Sequence, residues 1–188
     1  SIPGGNPELY KYSVVNNRLG GGMEARLMRT LRLEKGYTYG AGSFFRENSY
    51  QTPFYAYSQV RSNVTLESLE IFKNIINSYA ESYNSEDLEL TKNKLIKQNA
   101  LRFERLGSLL NMLDTISKFN FPDTYIQEQQ DVLRSMNLED AKSIAQSEFN
   151  ADKMYFVIAG DAKTQLSRIK ELGYGNPIML DREGNTIK

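Results

Sequence analysis

The chain has 188 residues, 40% of them apolar, which suits one domain with a real core. Lys plus Arg and Asp plus Glu number 23 each, so the formal net charge is zero and the basic excess of a nucleic-acid binder is missing. The absence of cysteine and histidine excludes thiol chemistry, disulfides, imidazole-based triads and imidazole-bound zinc. No D-x-[DN]-x-[DN]-G calcium loop is present, and no stretch reaches the roughly 20 apolar residues of a membrane helix. The start, "SIPGGNPELY", carries no signal-peptide pattern and no initiating Met. It reads as a processed or excised piece of something longer, and the compartment stays open between cell envelope and cytoplasm.

In chain order, "GGNPELYKYSVVNNRLGGG" predicts a helix with Asn6 as N-cap and Pro7 at the first helical position, ended by Gly20 to Gly22. "MEARLMRTLRLEK" predicts a second helix, stopped by Gly36. "YTYGAGSFF" and "PFYAYSQVR" predict two antiparallel strands joined by the polar "RENSYQT". A helix from about Thr65 to Tyr83 follows, then a long helical stretch from Ser85 to about Phe119, interrupted at most by Gly107 and stopped by Pro122. Two shorter helices, near Asp123 to Arg134 and Leu138 to Phe149 with Asn137 capping the latter, precede an apolar strand, "KMYFVIAG". A helix over "AKTQLSRIKELG" and a short terminal strand with a turn, "NPIMLDREGN", complete the chain. The expectation is a single α+β domain over residues 1–188, its mostly antiparallel sheet covered by helices on one face. Three or four strands make a thin sheet for so much helix, which points to a further strand or hairpin supplied by preceding polypeptide.

Few motifs carry chemistry. "LGGG" before a helix invites phosphate, but it lacks the Lys and Ser/Thr of a P-loop and follows a helix; a tight helix-to-helix turn is the plainer reading. Gly36, Gly40 and Gly42 do not match a dinucleotide fingerprint, and strand glycines such as Gly40 mark close approach of a ligand or of another backbone. Asn63-Val64-Thr65 matches the glycosylation sequon, which mainly predicts a loop. The carboxylates of "NSEDLEL" and "DREGN" fall where helix starts and turns ordinarily put acids. Arg32 on a helix and Tyr39 on the next strand flank a glycine; a dipole partner and a packing residue are the ordinary readings of the two.

The segment "PELYKYSVVNNRLGGGMEARLMRTLRLEKGYTYGAGSFF … PFYAYSQVRSNVT" resembles the second-half domain of the pitrilysin-type zinc peptidases, the inverted zincins that include insulin-degrading enzyme and the mitochondrial processing peptidase. The specific motif occupies residues 13 to 43, and the order of later elements is compatible to the C-terminus. The resemblance implies a two-half enzyme closing on an unfolded peptide. The active half carries H-x-x-E-H and the zinc; a chain without histidine is similar to the metal-free half. In that half an Arg and a Tyr reach across the cleft, and they match Arg32 and Tyr39, with Tyr37 the less favoured phenol. A phenol O–H and a guanidinium there would stabilise the oxyanion of amide hydrolysis and grip a peptide carbonyl. The strand edge from Tyr37 to Phe45, Gly40 included, would pair with substrate by strand addition. The partners implied are a zinc-binding half-domain, in the same chain or a separate subunit, and a peptide. Two alternatives stand beside this: a catalytically silent structural subunit of the same fold, and a stand-alone peptide-binding module.

Overall fold

The structure is a computed structural model that describes residues 3–48 and 50–187. Helix α1 (Leu9–Gly20) starts two residues after the expected point. Asn6 is not the N-cap: Glu8 takes that place with no side-chain bond, while Asn6 accepts the Glu8 N–H at 2.9 Å through Oδ1 and the Leu9 N–H at 3.0 Å through its carbonyl, in a turn ahead of the helix. Val14, Val15 and Leu19 then form a fully buried stripe. Helix α2 (Arg26–Met28) opens three residues later than predicted, because Ala25 is extended, and widens into a π-helical turn over Arg29–Glu34. Leu27 and Leu31, four apart, are fully buried, whereas Met23 is left half exposed. Gly36, at φ +63°, ends the turn in the left-handed region, as the sequence predicts.

Strands β1 (Thr38–Phe45) and β2 (Phe54–Val60) form an antiparallel pair, with Phe45 opposite Phe54 and Ala41 opposite Ser58. The fold is α+β with helices on one face of the sheet: α1 and α2 pack on β1, while the other face meets water. Gly20 permits this contact, since a Cβ there would lie 2.2 Å from the Ser43 backbone nitrogen. Asn16 and Ser43, both buried, lock the same contact: Asn16 Nδ2 donates to the Ser43 carbonyl at 2.8 Å, and Ser43 Oγ donates to Asn16 Oδ1 at 2.5 Å.

After β2 the chain departs from the sequence reading at three places. The helix predicted to Tyr83 is two, α3 (Thr65–Asn77) and α4 (Tyr79–Ser82), split where Ser78 Oγ bonds back to the Asn74 carbonyl at 2.8 Å. The long stretch is α5 (Ser85–Arg102) and α6 (Leu106–Phe119), and the break falls at 103–105, where Arg105 is extended. Gly107 lies inside α6, a tolerable cost of about 1 kcal/mol. Helices α7 (Tyr125–Ser135) and α8 (Leu138–Glu148) follow, and Asn137 caps α8 in a reciprocal box with Asp140.

The third departure is in the sheet. "KMYFVIAG" joins no strand among the described residues; after a 3₁₀ turn at Ala151–Lys153 it runs extended without a ladder. The terminal strand reduces to one antiparallel bridge, Leu180 to Thr186, behind α9 (Ala162–Ile169). A period-2 pattern makes a strand only where a neighbouring backbone takes up its hydrogen bonds; residues 155–159 find none among the described residues, and the terminal segment finds only its own turn, with the Asp181 N–H on the Asn185 carbonyl and the Ile187 N–H on the Met179 carbonyl.

Behind the sheet, α1, α2 and α5 meet at Asp87. Asp87 closes the capping box of α5 with Asn84, and it accepts Arg18 Nε at 3.0 Å and Arg26 Nη2 at 2.6 Å. The Arg26 guanidinium also lies 4.8 Å from the centre of the Tyr79 ring, and the Tyr79 hydroxyl donates to the Val15 carbonyl at 2.6 Å. Tyr79 and Tyr83 are fully buried, with ring centres 5.5 Å apart. Burial, helped by the neighbouring Tyr83, pushes the Tyr79 phenol well above its usual range; burial, then the Asp87 carboxylate, pushes Tyr83 up to about 12.

Candidate functional site

The residues singled out in the sequence gather around the turn from the second helix into β1. Arg32 sits in the π-helical turn, half-buried, with Nη1 3.5 Å from the Met23 sulfur. Among the described residues it has no carboxylate partner, so its charge is not spent on an ion pair within the chain. Tyr37 turns the other way, packing its ring on the core, while its N–H donates to the Leu31 carbonyl at 2.9 Å.

Tyr39 is 93% exposed, and a β-bulge puts it there. Thr38 pairs with Val60 and Ala41 with Ser58, so Tyr39 and Gly40 together oppose the single residue Gln59. The bulge is pinned by side chains. The Thr38 hydroxyl donates to the Gln59 carbonyl at 2.6 Å and accepts the Gly40 N–H at 3.0 Å, and Ser58 Oγ donates to the Gly40 carbonyl at 2.9 Å. A Cβ on Gly40 would meet nothing within 4 Å, whereas one on Gly42 would crowd the Gly20 carbonyl and the Tyr57 ring. Gly42 therefore answers to packing, and Gly40 leaves open space beside Tyr39. No hydrogen bond or cation–π contact joins Arg32 to Tyr39 among the described residues.

The sequence reading missed two neighbours. Arg61, one residue past β2, places Nη2 3.4 Å from the Gly36 carbonyl and so buttresses the turn between Arg32 and Tyr39. On the water-facing side of the ribbon Phe44 stacks on Tyr55 with ring centres 5.5 Å apart and meets Tyr57 edge-on at 5.8 Å. The bulge at Tyr39 and Gly40 interrupts the alternation between Phe44 and Tyr39, which lie five residues apart. The alternation of "PFYAYSQV" is the available signal, but composition alone does not say which face of a two-stranded ribbon is wet.

The remaining candidates resolve plainly. Gly20 ends α1, Gly21 and Gly22 form the turn after it, and the α1 terminus is held by Lys94 Nζ, which donates to the Gly21 carbonyl at 3.3 Å and to Asn17 Oδ1 at 3.1 Å. In "NSEDLEL" Asp87 serves the buried network above; in "DREGN" Asp181 accepts three N–H groups of its own turn, which hold its carboxyl below the usual range. Asn63 lies exposed in a single 3₁₀ turn, Ser62–Val64. A cavity of about 60 Å³ beside Glu47 and Tyr125 lies at the opposite end of β1 from Tyr39. There, burial raises the Glu47 carboxyl above its usual range against the pull of Lys118. Among the described residues no three acidic side chains converge as a metal site, and no helix is long and apolar enough to cross a membrane. The donor set does not fit zinc.

The motif-bearing half of the chain decides its family. The family model described as the peptidase M16 inactive domain matches residues 2–95, half of the chain, covering α1, the π-helical turn and both strands. The chain belongs to the peptidase M16 inactive-domain family. Within that context, a relative from Helicobacter pylori, the non-peptidase homolog YmxG, is 24% identical over 159 residues, covering 83% of this M16 domain and 36% of the relative. The crystal structure of a peptidase M16 inactive domain from Pseudomonas fluorescens superposes with a TM-score of 0.72 at 23% identity, over 81% of this chain and 37% of that one. A protease from Helicobacter pylori superposes with a TM-score of 0.62 at 13% identity, over 79% and 36%. The M16 domain described here thus spans little more than a third of the length of each of these relatives.

Proposed function

We propose that this M16 inactive domain is the non-catalytic half of a zinc metallopeptidase, one folding unit of a longer assembly, and that it presents Arg32 and Tyr39 to a peptide held against a separate catalytic half. The zinc belongs to that other half; the side chains of this chain do not suit it. One observation carries the reading: the pinned bulge holds a phenol 93% exposed, away from its own domain. Hydrolysis of an amide develops negative charge on the carbonyl oxygen, and an O–H donor already aimed there costs no reorganisation as the charge appears. Arg32, with no carboxylate partner among the described residues, supplies a planar set of donors for a neighbouring peptide carbonyl. The test is Tyr39→Phe in the assembled two-half enzyme. Turnover is expected to fall by about 10²–10³-fold with KM little changed, the loss typical of one oxyanion donor. Unchanged turnover would remove the role.

A second reading has a specific observation behind it: the curated relative is named a non-peptidase homolog. On that reading the domain is a catalytically silent structural subunit and Tyr39 is a remnant. Its signature is an assembled protein that cleaves no unfolded peptide in the presence of zinc and whose stability and assembly ignore Tyr39→Phe.

A further inference from the structure

The turn from α6 into α7 builds one wall of the cavity beside Glu47 and Tyr125. Asn120, at φ +51°, ends α6 in the left-handed region, and the Phe121 N–H donates to the Ile116 carbonyl at 3.0 Å. That turn lays Phe121 flat on Tyr125, with ring centres 4.3 Å apart and planes 10° from parallel. The two rings, with Leu9 and Tyr10 at the start of α1, line about 60 Å³ of space, and the carboxylates of Glu47 and Glu128 line it too. Tyr39 is six residues of strand from Phe45, roughly 20 Å, and Glu47 lies two residues further on, so the cavity stands apart from the Arg32 and Tyr39 site.

We propose that this cavity binds a guanidinium cation, either a small free guanidine or the tip of an arginine side chain. Size narrows the choice first. One water takes up about 10–15 Å³ of such space, so the cavity accepts about four or five heavy atoms, a guanidinium with its attached carbon and not an aromatic ring. Charge narrows it further. Among the described residues neither Glu47 nor Glu128 forms an ion pair. The Thr124 hydroxyl donates to Glu128 Oε1 at 2.7 Å, which orients that carboxylate and leaves Oε2 to accept from a ligand. Lys118, whose ammonium lies 5.0 Å over the Phe119 ring, draws the Glu47 carboxyl down, yet burial outweighs it and keeps the group above its usual range. A cation bound beside Glu47 would offset that desolvation. The aromatic wall then favours guanidinium over ammonium: the planar, weakly hydrated ion packs on a ring and offers carboxylates a fork of donors. The inference does not use the peptidase reading, so the two can fail separately.

Titration of the full-length protein with methylguanidinium, read by isothermal calorimetry, tests it, with methylammonium and the neutral methylurea as controls. Methylguanidinium is expected to bind saturably, and both controls at least about 10-fold more weakly, the loss of one hydrogen bond to a charged group. Glu47→Gln and Glu128→Gln are each expected to weaken methylguanidinium by the same factor. Glu128 is exposed, so its variant keeps the fold and the test stands even where Glu47→Gln does not fold. An unfolded peptide with a single arginine distinguishes the two sources: competition with methylguanidinium assigns a side chain, and binding of the free ion alone assigns a small guanidine. The absence of saturable binding overturns the proposal. So does a control that binds as tightly as methylguanidinium, or an affinity that Glu128→Gln leaves unchanged.

Discussion

Asp87 and Arg26 meet at 2.6 Å where the second helix passes the start of α5, and the same carboxylate holds Arg18 from α1. Three elements distant in sequence are thus tied to one mostly buried anion. Asp87→Ala leaves two partly buried guanidiniums without their acceptor and removes the α5 capping box. It is expected to destabilise the domain by about 3–5 kcal/mol in a urea titration, well beyond an exposed pair. Glu34→Ala, which breaks the exposed pair with Arg29, is the control and should cost less than about 1 kcal/mol.

Gly20→Ala tests how α1 sits on the sheet. The new methyl would fall 2.2 Å from both the nitrogen and the Oγ of Ser43, and a backbone atom cannot move aside as a side-chain tip can. Despite the better helix propensity of alanine, a loss of about 1–3 kcal/mol is expected, the range of an overpacked core; a gain in Tm would mean that α1 and β1 are spaced more widely than described.

Gly107→Ala should act in the opposite sense. Gly107 lies inside α6 with nothing within 4 Å of the added methyl, so the substitution is expected to raise stability by about 0.5–1 kcal/mol. A fall in stability, read by thermal melting, would argue for the break at Gly107 that the sequence suggests.

Tyr83 makes stability depend on alkaline pH. An unfolded tyrosine loses its proton near 10, whereas the folded phenol, raised by burial, does so at about 12. Between these values the folded state binds more protons than the unfolded one, so stability is full below pH 10 and declines as pH rises towards 12. Two units correspond to a loss of about 3 kcal/mol. Tyr83→Phe should flatten the decline between pH 10 and 12 without erasing it, because the Tyr79 phenol is shifted the same way.

What the sequence disclosed follows from how local each signal is. The Asn137 cap, the stop at Gly36 and the β1–β2 pair depend on residues a few positions apart, and each was readable. The break at 103–105 was not, because nothing in "LRFERLG" is worse for a helix than the glycine that α6 absorbs. "KMYFVIAG" was rightly seen as strand-like in pattern, but a ladder is a property of two segments, and alternation in one says nothing of the other. At the site, the identities of Arg32 and Tyr39 came from family likeness. The bulge that exposes the phenol depends on Thr38 and Ser58 hydroxyls meeting across two strands, and no periodicity encodes that.

The widened turn at Arg29–Glu34 holds one residue more than an ordinary α-turn needs, with the Lys35 N–H reaching back five positions to Thr30. It is thus a store of spare chain length immediately upstream of the strand. Excision of a single residue there could be absorbed by tightening the spiral, leaving Leu27 below and Thr38 above where they are. Arg32 would not be spared: a one-residue shift swings a helical side chain by about 100°. The same scaffold can therefore redirect its cation by a change of length, with no change in the residue that bears the charge.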